Sequence, residues 1–209
     1  MMNRLGAIAA IAGGAATAIS GVLVQTVVQP ASTIPDTVWS YPWSADAFVP
    51  VSLVYAVFHL IVFAGVLGFA RSRAIGTARS GRVGAVLALA GTAVLLVAEL
   101  ASIPIRYERF DATGPAVIGP VFGLGVLLSG VGFLLAGWAV LRAGEWHGWR
   151  RFVPLATGVW TTVLVGVSLT KALPTGVAIY GTLIFLLGVA LYPAPAGARR
   201  PVTRATVVS

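Results

Sequence analysis

The sequence contains no cysteine. Disulfides, thiolate nucleophiles, iron–sulfur clusters and every zinc site that depends on sulfur are thereby excluded, although the redox compartment is left open. Charge is nearly as scarce. Only 10% of the residues are Asp, Glu, Lys or Arg, with six acids against fourteen bases, while 58% are apolar and the mean hydropathy is +0.94. A chain of 209 residues with that balance lacks the polar side chains needed to cover a water-soluble core. The formal charge of +8 is accordingly not a nucleic-acid-binding face but a matter of membrane topology.

Motifs that carry chemistry are also missing. There is no His-Glu-x-x-His for a metalloprotease and no Gly-x-x-x-x-Gly-Lys-Ser/Thr phosphate loop, and the two histidines, His59 and His147, lie too far apart to ligate one haem. Gly166-Val167-Ser168-Leu169 is followed by Thr170, so the nucleophile elbow Gly-x-Ser-x-Gly is incomplete. No cofactor and no metal site is expected, and His147 reads as a solvated loop residue.

What is present is hydrophobic length. A bilayer core about 30 Å thick requires roughly 20 apolar helical residues. Six stretches meet or nearly meet that requirement: Leu5 to Val28, Val51 to Ala70, Val83 to Ile103, Ala116 to Leu141, Phe152 to Thr170, and Gly176 to Tyr192. In lipid the backbone must satisfy its own hydrogen bonds, so each is expected to be a helix. The first run is too long for the apolar core of a signal peptide, about 7 to 15 residues, and is read as retained.

The arginines fix an orientation. Arg4, then Arg71, Arg73, Arg79 and Arg82, then Arg142, Arg150 and Arg151, and finally Arg199, Arg200 and Arg204 all fall on one side of a six-span path. By the positive-inside rule that side is cytoplasmic, and the other receives Arg106, Arg109 and Lys171 together with Asp36, Asp46, Glu108 and Asp111. The expected fold class is all-α, an integral membrane bundle of six transmembrane helices with both termini cytoplasmic. Residues 1–195 form a single domain, and 196–209 a basic cytoplasmic tail expected to be disordered. Trp39, Tyr41, Trp43, Trp146 and Trp149 are placed at headgroup level, and the Pro-rich segment from Thr33 to Trp43 forms a turn-rich outer cap.

Small residues recur every four positions at Gly6, Ala10, Gly14 and Ala18, a stripe suited to close helix packing. Val57-Phe58, Leu60, Val62 and Gly68-Phe69 match Val121-Phe122, Leu124, Val126 and Gly132-Phe133 at an offset of 64, as duplicated hairpins in parallel orientation would.

Polar side chains at bilayer depth cost about 2 to 4 kcal/mol unless partnered, so they mark candidate sites. Glu99 is the clearest, on one helix face with Thr92, Ser102 and Arg106. His59 shares a face with Ser52 and Tyr55, the first span brings Gln25 and Gln29, and the fifth brings Thr161, Ser168 and Lys171. The candidates for ligand binding or proton handling are therefore Glu99, His59, Gln25, Gln29, Tyr55, Arg106, Ser168 and Lys171, converging on a polar pocket in the outer half. A plainer reading is that Glu99 neutralises Arg106, Lys171 or His59 while glutamines and hydroxyls fasten helices.

The segments Ile34-Pro35-Asp36-Thr37-Val38-Trp39-Ser40-Tyr41-Pro42-Trp43, Glu99-Leu100-Ala101-Ser102-Ile103-Pro104, Thr113-Gly114-Pro115 and Gly148-Trp149-Arg150-Arg151-Phe152 together resemble uncharacterised small multi-pass membrane proteins of actinobacteria. The resemblance covers most of the chain. It implies a bacterial plasma membrane and transfers no functional residue.

Three functional expectations follow. The first is a protein that binds or transports a small polar or protonatable solute through an outward-facing pocket. The second is a non-catalytic membrane subunit or scaffold. The third, an intramembrane hydrolase, needs Ser168 beside His59. The partners expected are the lipid bilayer and a small polar solute, not nucleic acid, and the sequence does not specify a protein partner or an oligomeric state.

Overall fold

The computed structural model describes residues 2–192. The tail expected over 196–209 lies outside them. Six rods account for most of the described chain. The first, α1, runs Met2–Leu23 and continues through a π-helical turn, Val24–Val28, into Gln29–Ala31. It is followed by α2 (Ala45–Ala70), α3 (Arg79–Ser102), α4 (Thr113–Ala143), α5 (Val153–Val167) and α6 (Leu173–Leu191). Among the described residues the nearest thing to a strand is one isolated antiparallel bridge between Val38 and Arg109.

Five of these segments, Arg4–Ala31, Ala45–Ala70, Arg79–Ser102, Thr113–Ala143 and Leu173–Leu191, are long and apolar enough to cross a membrane. The shorter α5 has 15 residues, a rise of about 22 Å. It stops before the expected Thr170 because Ser168 and Thr170 turn their hydroxyls onto the carbonyls of Val165 and Val167 (2.7 and 2.8 Å) and the chain leaves the helix.

Other ends extend past the apolar runs, for local reasons. In α2 the helix begins at Ala45, since the Ser44 hydroxyl accepts from the Ala47 amide at 3.3 Å and Asp46 occupies the first turn, where negative charge meets the helix dipole favourably. Pro50 interrupts only its own amide bond. At the start of α4 the Glu108 carboxylate accepts from the Gly114 amide at 3.0 Å, and Gly144, with φ +68°, terminates the helix in the left-handed conformation that glycine adopts without strain.

Each rod packs against its successor and α1 closes onto α6, so the six form a ring whose tightest pairs are α3 with α4 and α1 with α6. Glycine makes these approaches possible. Gly14 lies against the Phe185 backbone, Gly181 against Ala18, Gly132 against Ala88, and Gly84 against Ala136. The expected stripe on α1 divides between two neighbours: Gly6 and Ala10 meet Gly68 and Gly65 of α2, whereas Gly14 and Ala18 meet α6.

Hairpins α1–α2 and α3–α4 share a pattern beyond the offset of 64. Leu5–Ala15 and Val83–Ala93 carry Gly6/Gly84, Ala7/Ala85, Ala10/Ala88, Ala12/Ala90, Gly13/Gly91 and Ala15/Ala93 in register, an offset of 78 (84 minus 6). Gly68 and Gly132 occupy matching places, each against the helix that precedes its own. Phe69 and Phe133, the matching aromatic pair, stack on each other in the interior with centroids 6.2 Å apart and planes at 24°.

This stack lies toward the arginine-rich end, where Val66, Phe69, Phe133, Ala136, Val140, Ile184 and Leu187 are fully buried. The opposite end carries the loops 32–44 and 103–112, and here Tyr55, His59 and Glu99 are only half-buried.

Glycines that touch backbone should not tolerate a methyl group, whereas Gly123, with nothing near the position of an added Cβ, should. Thermal unfolding in one detergent is expected to show Gly132→Ala destabilised by about 1–3 kcal/mol. Gly123→Ala is expected to be neutral, or stabilised by up to about 1 kcal/mol through helix propensity.

Candidate functional site

The polar side chains fall into three groups. The first is interior. Glu99 lies on the face of α3 that carries the buried Ala85, Ala88, Thr92 and Ser102, while Val83, Val86, Val97 and Leu100 are exposed on the other face. The Ser52 hydroxyl of α2 stands beside its carboxyl group. One turn further along α2, the Tyr55 hydroxyl stands near Ser20 of α1, whose own hydroxyl donates to the Thr17 carbonyl at 3.0 Å, and near Glu99. A turn deeper, the His59 ring places Nδ1 at 2.9 Å from the Tyr55 carbonyl, so Nδ1–H donates there and Nε2 is the nitrogen left to accept. Tyr55 also meets Phe58 edge to face, with centroids 5.9 Å apart. Three helices thus contribute Ser20, Ser52, Tyr55, His59 and Glu99 to one interior region.

Among the described residues no cation is paired with Glu99; the ion pairs are Lys171 with Asp36 at 2.7 Å and Arg109 with Asp111 at 3.3 Å. Arg106 donates from Nη1 to the Ile103 carbonyl at 3.0 Å and from Nη2 to the Tyr107 hydroxyl at 3.2 Å, with its guanidinium 4.4 Å from the Tyr107 ring centroid. It caps the end of α3 instead of neutralising Glu99. The arrangement in which Glu99 pairs with Arg106, Lys171 or His59 is therefore absent among the described ion pairs.

The second group fastens helices. Gln25 donates to the Gln29 side chain at 3.0 Å and accepts from the Thr175 hydroxyl of α6 at 3.1 Å. Trp160 of α5 donates to the Gly176 carbonyl at 2.9 Å. The glutamines serve the α1–α6 seam and stand apart from Glu99, because the π-helical turn directs Gln25 toward α6. Most hydroxyls bond within their own helix: Thr92 to Ala88, Thr157 to Val153, Thr161 to Thr157 and Thr182 to Ala178, all at 2.7–2.9 Å.

The third group is a cap over the end opposite the arginines. Trp39 N–H donates to the Glu108 carbonyl and Phe110 N–H to the Thr37 carbonyl, 2.8 and 2.9 Å, which joins the loops 32–44 and 103–112. The Trp39 ring packs on Phe110 and Phe122, centroids 5.5 and 6.3 Å away. Lys171 ties the turn between α5 and α6 to the same cap through Asp36. Ser168 is exposed in that turn, its hydroxyl on the Val165 carbonyl, and α5 packs against α4 and α6. A hydrolytic dyad of Ser168 with His59 is accordingly not assembled.

Two open clefts flank these groups. One, about 400 Å³, lies beside the cap and is lined by Val27, Ala31, Thr33, Ile34 and Pro42 among others; the second, about 210 Å³, is at the arginine-rich end between Ser72, Arg73, Glu145, Trp146 and Leu191. Neither includes Glu99 or His59.

The sequence reading overlooked several of these partners. Ser20 was visible as a lone hydroxyl in an apolar span, and Glu108 as an acid just ahead of a helix start. Thr175 and the Trp39 stack with Phe122 required the tertiary arrangement. Comparison of the chain with protein-family models, curated proteins and solved structures finds no match. The functional reading rests on geometry.

The Asp36–Lys171 pair has a defined pH window. The bond from Lys171, and then its charge, hold the Asp36 carboxyl below its usual range, and Asp36 in the same way raises the Lys171 ammonium. The tie is complete above the ordinary carboxylate range and below the ordinary ammonium range; it is lost as Asp36 protonates in acid and as Lys171 deprotonates in strong base. Both groups are exposed, so salt should weaken it. Asp36→Asn is expected to speed amide exchange in residues 168–172 by no more than about fivefold, and least at high salt.

Proposed function

We propose that the chain is a six-span protein of the bacterial plasma membrane, with both termini cytoplasmic, that binds or transports a small polar or protonatable solute from the outer side. The cap is then external and the arginine-rich end cytoplasmic. In this reading α5 completes the sixth crossing together with the helical turn Gly148–Phe152 that precedes it and the turn that follows it.

The observation that carries the proposal is Glu99, an acid in a helix long and apolar enough to cross a membrane, which stands beside the Ser52 hydroxyl and, among the described residues, has no cationic side chain paired with it. Such a group is costly unless water, a proton or a ligand accompanies it. The asymmetry of the interior supports the direction of access. Half-buried polar groups lie toward the cap, and a closed apolar plug lies toward the arginines. Glu99 is the charged centre of the site, Ser52 and Tyr55 flank it, and His59 is the proton partner a turn deeper.

One observation favours the second reading, a scaffold or non-catalytic subunit: neither open cleft reaches Glu99. Two experiments separate the readings. Because the chain has no cysteine of its own, single-cysteine variants report topology cleanly. Arg71→Cys and Arg142→Cys should be labelled by an impermeant maleimide only from the cytoplasm, and Asp111→Cys only from outside. Labelling of Arg71→Cys and Arg142→Cys from opposite faces would refute six spans. For the solute, protein extracted gently from native membranes should carry a small polar molecule detectable by mass spectrometry that Glu99→Gln loses. Loss of bundle stability in Glu99→Gln with no change in bound small molecules would favour the scaffold.

A further inference from the structure

We infer that the solute accepted by the Glu99 site is a small protonated amine, held by the Glu99 carboxylate and the Ser52 hydroxyl beside the Tyr55 ring. The inference rests on the polar-site reading above and narrows it to one charge and one donor class.

Charge comes first. The described cations near this end of the bundle are engaged elsewhere: Lys171 on Asp36, Arg109 on Asp111, Arg106 on the Ile103 carbonyl and the Tyr107 ring. An anionic solute entering the interior would meet Glu99 with no side-chain cation to compensate it. A cationic solute would meet the counter-charge that Glu99 lacks, in a region of low dielectric where an unpaired charge is most costly.

Donor count separates an amine from a metal ion. The oxygen atoms gathered around Glu99 are its own two, that of Ser52 and, nearby, the Tyr55 hydroxyl, which stands near Ser20. The neighbouring Ser102 hydroxyl donates to the Glu99 backbone carbonyl at 2.6 Å, and Thr92 donates to Ala88 at 2.8 Å. A hard metal ion requires six or more oxygen ligands, whereas an ammonium group has three N–H donors to place. A carboxylate with one or two hydroxyls fits the second. The Tyr55 ring, held edge to face on Phe58, supplies a surface for the alkyl part.

Binding places the N–H groups of the amine on the carboxylate and hydroxyl oxygens, so that its charge is met directly by Glu99. The titratable groups facing Glu99 are few. Tyr55 and His59 come from α2, α4 presents none between Ala116 and Leu127, and Arg106, in the loop just past α3, donates to the Ile103 carbonyl.

The test is titration of the full-length protein in lipid nanodiscs with n-propylammonium, propionate, propanamide and sodium ion, followed by calorimetry. n-Propylammonium is expected to bind in preference to propionate, propanamide and sodium ion. Glu99→Gln should weaken it by about tenfold or more. Ser52→Ala, which keeps the carboxylate, should weaken it by a smaller factor, about three- to tenfold. Glu99-dependent binding of propionate or propanamide in preference to the amine would overturn the charge class while leaving a polar binding site in place. Preferential binding of sodium would overturn the donor argument. Absence of any response that depends on Glu99 would overturn both the inference and the reading beneath it.

Discussion

A carboxylic acid within a helix long and apolar enough to cross a membrane constrains everything around it. A bilayer offers no water to an isolated carboxylate, and among the described residues Glu99 has no paired lysine or arginine. The surrounding helices respond with hydroxyls: Ser52 on the acid, and Tyr55 with Ser20 beside it. That requirement sets which faces of α2 and α3 turn inward, since Ser52, Tyr55 and His59 repeat at helical spacing along the face that continues into Val62, Val66 and Phe69. One face of α2 is thus polar near the cap and apolar near the arginines.

Backbone contact through glycine holds that arrangement in place. Without a hydrophobic force between helices in lipid, association depends on close packing, and the chain provides it where α1 meets α6 and where α3 meets α4. Between these tight seams the hydroxyl groups mostly serve their own helices, so the polar links from helix to helix are few and placed toward the cap: Ser52 to Glu99, Ser20 to Tyr55, Thr175 to Gln25 and Trp160 to Gly176. The cap loops, joined by the Val38–Arg109 bridge and the Trp39 stack, lie over the same end.

Much of the architecture was legible because hydrophobic length and arginine position are one-dimensional quantities. All six rods were anticipated, each within six residues at either end, and the misplaced ends trace to caps that an apolar count does not register, such as Ser44 and Glu108. The site was legible in part. Glu99 and His59 announce themselves as expensive residues in apolar runs, and Ser52 and Tyr55 follow from helical spacing. Gln25, Lys171, Arg106 and Ser168 were equally conspicuous, yet sequence spacing along one helix carries no information about which neighbour that helix will meet. A π-helical turn sends Gln25 to α6, a loop acid captures Lys171, and a free carbonyl at a helix end captures Arg106.

The central claim is that the acid faces a hydrated interior open toward the cap and closed toward the arginines. Its most direct test uses three cysteines introduced one at a time on α2 in the naturally cysteine-free chain: Tyr55→Cys beside Glu99, Val66→Cys three turns deeper on the same face, and Leu53→Cys on the lipid-exposed face. With a small hydrophilic thiol reagent, Tyr55→Cys should react from the cap side, while Val66→Cys should be inert from both sides and Leu53→Cys should prefer a lipid-soluble reagent. A Tyr55→Cys thiol that ignored the hydrophilic reagent and behaved like Leu53→Cys would place the acid's surroundings in lipid and contradict the account.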